Sequence, residues 1–315
     1  MQAAVNRPAL GVLPPDDWQE ILTGLLQARP AGLNYVFTAH CGSSANECAF
    51  KAVFMTKAGR LRGQRNFTDE EIRSALGNAA PGSPQFSILS FSGAFHGRTF
   101  GALSTTRSKA IHKLDIPAFN WPMAPFPKVK YPLEEHKLEN DHESERCIAE
   151  TERLMDSWAL PVAGVIVEPI QGEGGDNIAP ASFFRRLREV TQKRGIALIV
   201  DEVQTGGGAT GHMWAHEHWG LESPPDIVVF AKKMQAAGFY FSDSFLPSEG
   251  YRQFNTWMGD PIRAMMATRF LQFVRDHNIL QQVDIMGKEL QKGLGGLLNL
   301  LFSRSLTSST SLFMC

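Results

Sequence analysis

The chain is expected to fold as an α/β protein, a three-layer αβα sandwich built around a mostly parallel sheet. Three observations lead there. Short apolar runs alternate along the 315 residues with longer amphipathic ones, the order that strand–helix–strand units produce. Several of those runs are apolar at nearly every position, as strands buried on both faces must be. Polar, reactive residues stand just past the carboxyl ends of the runs, where open parallel sheets bind their ligands.

Taken in order, the candidate strands are Tyr35–Ala39, Ser87–Phe91, Val162–Val167, residues 197–200 and Ile227–Phe230. Residues 183–194 read as a crossover helix: Phe183, Leu187 and Val190 share one face, Lys193 and Arg194 fill the last turn, and Gly195 ends it. The stretch 131–157 is charged, helical in part, and expected to be a solvated surface segment between two strands. Residues 262–301 are amphipathic. From Ser303 to Ser311 seven of nine residues are Ser or Thr, which predicts a disordered tail over 303–315. The chain thus divides into an N-terminal segment, 1–34, a large domain, 35–302, and the tail.

Composition excludes several functions. Lysine plus arginine number 31 against 32 aspartates and glutamates, so no net field attracts nucleic acid or an anionic membrane. No apolar run reaches the length of a membrane span. Four cysteines, at 41, 48, 147 and 315, show neither disulfide-scaffold density nor a paired Cys-x-x-Cys spacing, which points to a reducing compartment. The first 15 residues hold one arginine and three prolines and read as neither a signal peptide nor a transit peptide. His96, His216 and His218 have no metal-like partner set; no metal is expected.

Two strand ends carry the chemistry. Asp201 closes Ala-Leu-Ile-Val-Asp and precedes a glycine-rich turn. A carboxylate in that place needs a cationic partner, because burying an isolated charge is prohibitively costly. A protonated pyridine nitrogen would serve, as would a core arginine; capping of the next helix is a third possibility. The next apolar run delivers Ala231 and then Lys232, followed by Lys233. Desolvation beside such a strand end deprotonates an amine in part, which a Schiff-base lysine needs. Alone, Lys232 and Lys233 would read as a solvated pair.

Residues 198–203, the glycine-rich run 206–211, Asp226-Ile227-Val228 and Ala231-Lys232 together resemble the signature of the class III pyridoxal phosphate dependent aminotransferases. The likeness runs from about Asn6 to Leu301. It implies the large domain of a fold type I aminotransferase. Within the class, the segments 41–47, 93–99, 168–171, 214–220 and 254–261 resemble members acting on 4-aminobutyrate. The resemblance implies transfer of the amino group of 4-aminobutyrate to 2-oxoglutarate, giving succinic semialdehyde and glutamate, by a ping-pong route. It implies a mitochondrial matrix location, although the chain shows no import signal.

Carried over position by position, the likeness assigns catalysis to Lys232 and Asp201. Gly42 and Ser43 would hold the cofactor phosphate at a helix start. Phe95 would stack on the pyridine ring and Gln204 would bond its phenolic oxygen. Thr256 would reach the phosphate in a neighbouring subunit, which implies a homodimer. Arg98 would clasp the substrate carboxylate, with Glu168 and Glu173 as the two active-site glutamates, Glu168 pairing a second arginine. Small amino and keto acids are the implied partners.

The sequence also departs from the family. Mammalian members hold an iron–sulfur cluster through two cysteines at the phosphate loop; here the loop reads Cys41-Gly42-Ser43-Ser44, and a hydroxyl is a poor ligand for one. Set against the family's pattern, the chain is expected to lack a counterpart of the C-terminal small domain after Leu301 and the N-terminal segment before Asn6. Such a chain is expected to lose water exclusion and substrate orientation. Two rival expectations follow: an inactive form serving only as a dimer partner, and an aminotransferase for another ω-amino acid.

Overall fold

A computed structural model of the chain describes residues 9–63 and 66–302, with side chains described to residue 297. The Ser/Thr-rich stretch 303–315 lies outside the described residues.

The first helix, α1 (Trp18–Leu26), leads into β1 (Tyr35–Ala39). Next come α2 (Gly42–Arg62), α3 (Asp69–Leu76), β2 (Ser87–Phe91), α4 (Phe100–Thr105) and β3 (Met123–Ala124). A long helix α5 (Lys137–Ser157) precedes β4 (Val162–Val167) and the small hairpin of β5 (Ile170–Gln171) and β6 (Asn177–Ile178). Then follow α6 (Ala181–Lys193), β7 (Ala197–Asp201), β8 (Ile227–Phe230), β9 (Ala237–Phe241), α7 (Pro261–Asp276) and α8 (Ile279–Phe302).

Seven strands form one sheet in the order β1-β9-β8-β7-β4-β2-β3. Strands β3, β2, β4, β7 and β8 pair in parallel, while β9 is antiparallel to both of its neighbours, β8 and β1. Side chains alternate across the sheet. One face presents Leu89, Val165, Leu198, Val200 and Val228 to α1, α5, α6 and α7. The other presents Ile88, Ile166, Ile199, Ile227 and Val229 to Ala45, Ala49, Phe50 and Val53 of α2. The three-layer expectation holds. Arg188 of α6 clamps the entry to β8 through Asp226, whose Oδ2 accepts from the guanidinium at 2.6 Å and from the Leu198 N–H at 2.8 Å. One side chain thereby ties helix α6 to the starts of two central strands.

The structure differs from the sequence reading in three places. Strand β9 was not expected, because Ala237 and Gly238 dilute its apolar signal. Helix α5 is no merely solvated segment: Cys147, Ile148, Leu154 and Met155 are buried in the core, and its charges occupy the other face. The amphipathic stretch 262–301 is two helices, broken where Asn278 takes a left-handed conformation (φ 51°). Beyond that break Ile285, Met286 and Leu290 of α8 are exposed.

Candidate active site

A cavity of about 480 Å³ opens at the carboxyl ends of β7 and β8, lined by Gly42, Ser43, Asn46, Phe95, Glu168, Asp201, Gln204, Lys232 and Arg263 among others. The volume lies in the ordinary range of small-molecule sites. Asp201 and Lys232, the two residues on which the sequence reading rests, face the same space.

Asp201 is the last residue of β7 and is buried at 4% exposure. Its carboxylate is held by three donors: His96 Nδ1 at 2.8 Å and Asn46 Nδ2 at 2.9 Å, both on Oδ2, and the Val203 N–H at 3.0 Å on Oδ1. Beside it, His96 Nε2 and Asn46 Oδ1 are buried with no partner among the described residues, a polar floor with bonding capacity left over. The neighbouring Glu202 is fully buried and anchors the turn, accepting from the His216 N–H at 2.8 Å.

Helix α2 starts at the cavity wall, so its first N–H groups have no carbonyl one turn back. Two close approaches shape this corner. A Cβ on Gly42 would lie 2.9 Å from Val203 Cγ1, and one on Gly97 (φ 124°) would lie 2.2 Å from Ser43 Oγ. Glycine at both positions lets the helix start close against the loops after β7 and β2. Ser43 Oγ accepts from the Arg98 N–H at 3.1 Å. Cys41 precedes the helix; burial works against its ionisation, yet hydrogen bonds from Ser44 and Ser43 hold the thiol below its ordinary value.

Lys232 follows β8 in a left-handed conformation (φ 48°), uncommon for a residue with a side chain and worth noting at a site. Its Nζ donates to Gln204 Oε1. The amine is exposed, so the desolvation expected beside an apolar strand end is not met: the chain turns out of the sheet immediately after Ala231, carrying Lys232 to the open side. Glu168 is buried at 6% exposure and accepts from the Phe95 N–H at 2.8 Å. Burial, and then the negative charge of Asp201, push its carboxyl well above the usual range.

Seven of the expected residues, Gly42, Ser43, Phe95, Glu168, Asp201, Gln204 and Lys232, line the one cavity. Three do not. Arg98 lies outside the lining, its guanidinium 5.8 Å from the Phe95 ring centroid and 3.5 Å from His112 Nε2. Glu173 is exposed and pairs with Lys109 at 3.2 Å. Thr256 is exposed too, its carbonyl accepting from the Gly11 N–H at 2.9 Å. Among the described residues no arginine pairs with Glu168, and no group of His, Cys, Asp or Glu could hold a metal ion. The sequence reading missed Asn46, His96 and Arg263. His96 was expected to be a core or surface histidine; it is in the core, but as a partner of Asp201 from 105 residues away.

A model of the class III aminotransferases matches residues 2–301, and the chain belongs to that family, whose members depend on pyridoxal phosphate. A 4-aminobutyrate aminotransferase of Dictyostelium discoideum is 59% identical over 295 residues, covering 93% of this chain and 60% of that protein. The human protein named 4-aminobutyrate aminotransferase, mitochondrial, is 51% identical over 294 residues, with 92% and 59% covered. A solved lysine aminotransferase from M. tuberculosis superposes with a TM-score of 0.82 at 28% identity, covering 96% of this chain and 67% of that one. The chain spans about 60% of the length of the curated relatives it matches.

Proposed function

We propose that this chain carries the cofactor site of an aminotransferase that moves the amino group of 4-aminobutyrate to 2-oxoglutarate. One observation carries the reading: a strand-end carboxylate, Asp201, and a strand-end amine, Lys232, line a single cavity with a helix start at its wall. The residues suit pyridoxal phosphate, since His96 Nδ1 and Asn46 Nδ2 brace the Asp201 carboxylate and the first turn of α2 offers N–H groups to a phosphate. When bound, the cofactor supplies an aldehyde that takes up the amino group and a ring that withdraws electrons from the carbon losing its proton.

The side chains divide the remaining work. Asp201, fixed by three donors, presents a negative charge that favours a protonated ring nitrogen. Phe95 offers an aromatic face and Gln204 an amide beside Lys232. Lys232 Nζ, on its exposed tether, is the group that binds the aldehyde carbon and carries a proton to and from the substrate. Glu168, whose carboxyl burial and then the charge of Asp201 push above its ordinary range, holds its proton more tightly than an exposed glutamate does. Arg98 and Glu173, at the rim, are the proposed carboxylate and substrate contacts. Thr256, exposed outside its own cavity, suits a homodimer in which it reaches the other subunit's phosphate.

The substrate follows from the relatives, which at 51 to 59% identity are named for 4-aminobutyrate. The names of the mouse, human and pig relatives support a mitochondrial location, with the matrix as the proposed compartment. The large domain of 35–302 and a separate segment before it remain the proposed domain division. Reconstituting the chain with pyridoxal phosphate and recording its visible spectrum before and after 4-aminobutyrate tests the reading. Lysine-bound absorbance that 4-aminobutyrate bleaches is expected. An unaltered spectrum in Lys232→Ala would end the assignment.

A further inference from the structure

A second pocket, of about 470 Å³, lies between the end of α2 and the segment that follows β9, away from the cofactor cavity. Its lining includes three arginines, Arg60, Arg62 and Arg252, with hydroxyl groups from Thr56, Ser244 and Ser248 and an apolar side from Met55, Phe245 and Leu246. Among the described residues no aspartate or glutamate lines it. Among the described residues no carboxylate forms an ion pair with any of the three arginines; Glu249, in the same loop as Arg252, pairs with none of them.

Like charges gathered in this way repel one another and need a reason to stay. Arg60 and Arg62 sit in the last turn of α2, where a cation complements the helix dipole. That accounts for two of them. Arg252 has no such role: it comes from a loop some 190 residues further along the chain, and its guanidinium is held 5.4 Å from the centroid of the Phe67 ring, the same ring that Arg62 covers at 4.1 Å. Cation–π contact with one shared ring gathers two guanidiniums and, among the described residues, leaves their N–H edges without a hydrogen-bond partner. Guanidinium forks match phosphate oxygens in pairs, and more than one of them suits more than one negative charge.

We propose that this pocket binds a small phosphate-bearing polyanion of the pyrophosphate class, independently of the cofactor site. Arg62 and Arg252 hold it, and Arg60 adds charge at the mouth. The probe is inorganic pyrophosphate, titrated calorimetrically into the chain in the presence of excess pyridoxal phosphate, which occupies the start of α2. Saturable binding is expected, weakening as sodium chloride is added. The R62Q/R252Q variant, checked for folding by circular dichroism, is expected to bind about tenfold more weakly or not at all. R269Q, altering an exposed arginine of α7, should bind as the parent does. The difference between the two variants isolates the pocket whether or not the cofactor is bound. R60Q, whose side chain stacks on nothing, replaces the double variant if that fails to fold, and should weaken binding about threefold. No saturable binding by the parent chain, or equal binding by the altered pocket, overturns the proposal. Malonate binding as tightly as pyrophosphate overturns the assignment to phosphate.

Discussion

The floor and the rim of the cofactor cavity are built by different rules. At the floor, Asp201, His96 and Asn46 are all buried, and they form a network from three distant parts of the chain. At the rim, Arg98, Glu173 and Lys232 are exposed, and their contacts are few or single. A buried network is over-determined, so its geometry exists before any ligand arrives. An exposed side chain takes its working position only when something orders it. The chain therefore fixes the end of the site that suits a ring nitrogen and leaves open the end that suits a substrate.

The sharpest way to break that contrast is Asp201→Ala, which strips the acceptor from two buried donors and should destabilise the chain by about 3 kcal/mol. A urea midpoint close to that of the parent would show that the floor is no network. His96→Ala removes one donor but leaves Asn46 and the Val203 N–H on the carboxylate. Its expected cost is smaller, about 1 to 3 kcal/mol by the same measurement.

Glu168→Gln tests the floor through pH. Burial, then the charge of Asp201, raise the Glu168 carboxyl, so the folded chain keeps a proton that the unfolded chain gives up above about pH 4.5. The parent accordingly loses stability as pH rises from there toward the folded value, by about 1.4 kcal/mol for each unit of the shift. The variant has no such loss. Its melting temperature relative to the parent should climb as pH rises above about 4.5, and a flat difference would contradict the burial argument. At the rim, Glu173→Ala removes an exposed ion pair with Lys109 and should move stability by less than about 0.5 kcal/mol. A larger change would mean that the rim is as ordered as the floor.

The same contrast explains what the sequence made legible. Strands β4 and β8 matched their expected bounds, because continuous apolar runs report burial on both faces directly. The expected run 197–200 gained only Asp201, and the helix read over 183–194 formed as Ala181–Lys193. Strand β9 escaped notice since two of its five residues, Ala237 and Gly238, carry almost no hydrophobic signal. Within the site, residues at strand ends or motif positions could be found by local pattern. The bond from His96 to Asp201 could not, since it joins the loop after β2 to the end of β7, which only the finished sheet brings together. Arg263 was missed for the same reason, lying in the first turn of α7 with no motif of its own.

Among the described residues strand β1 pairs with β9 alone, Tyr35 opposite Phe241 and Ala39 opposite Ala237. A ribosome must therefore release some two hundred further residues before the first strand of the sheet meets β9. Until then the early part of the nascent chain holds an open edge, and completion of the barrier between the two helical layers is a late event of synthesis.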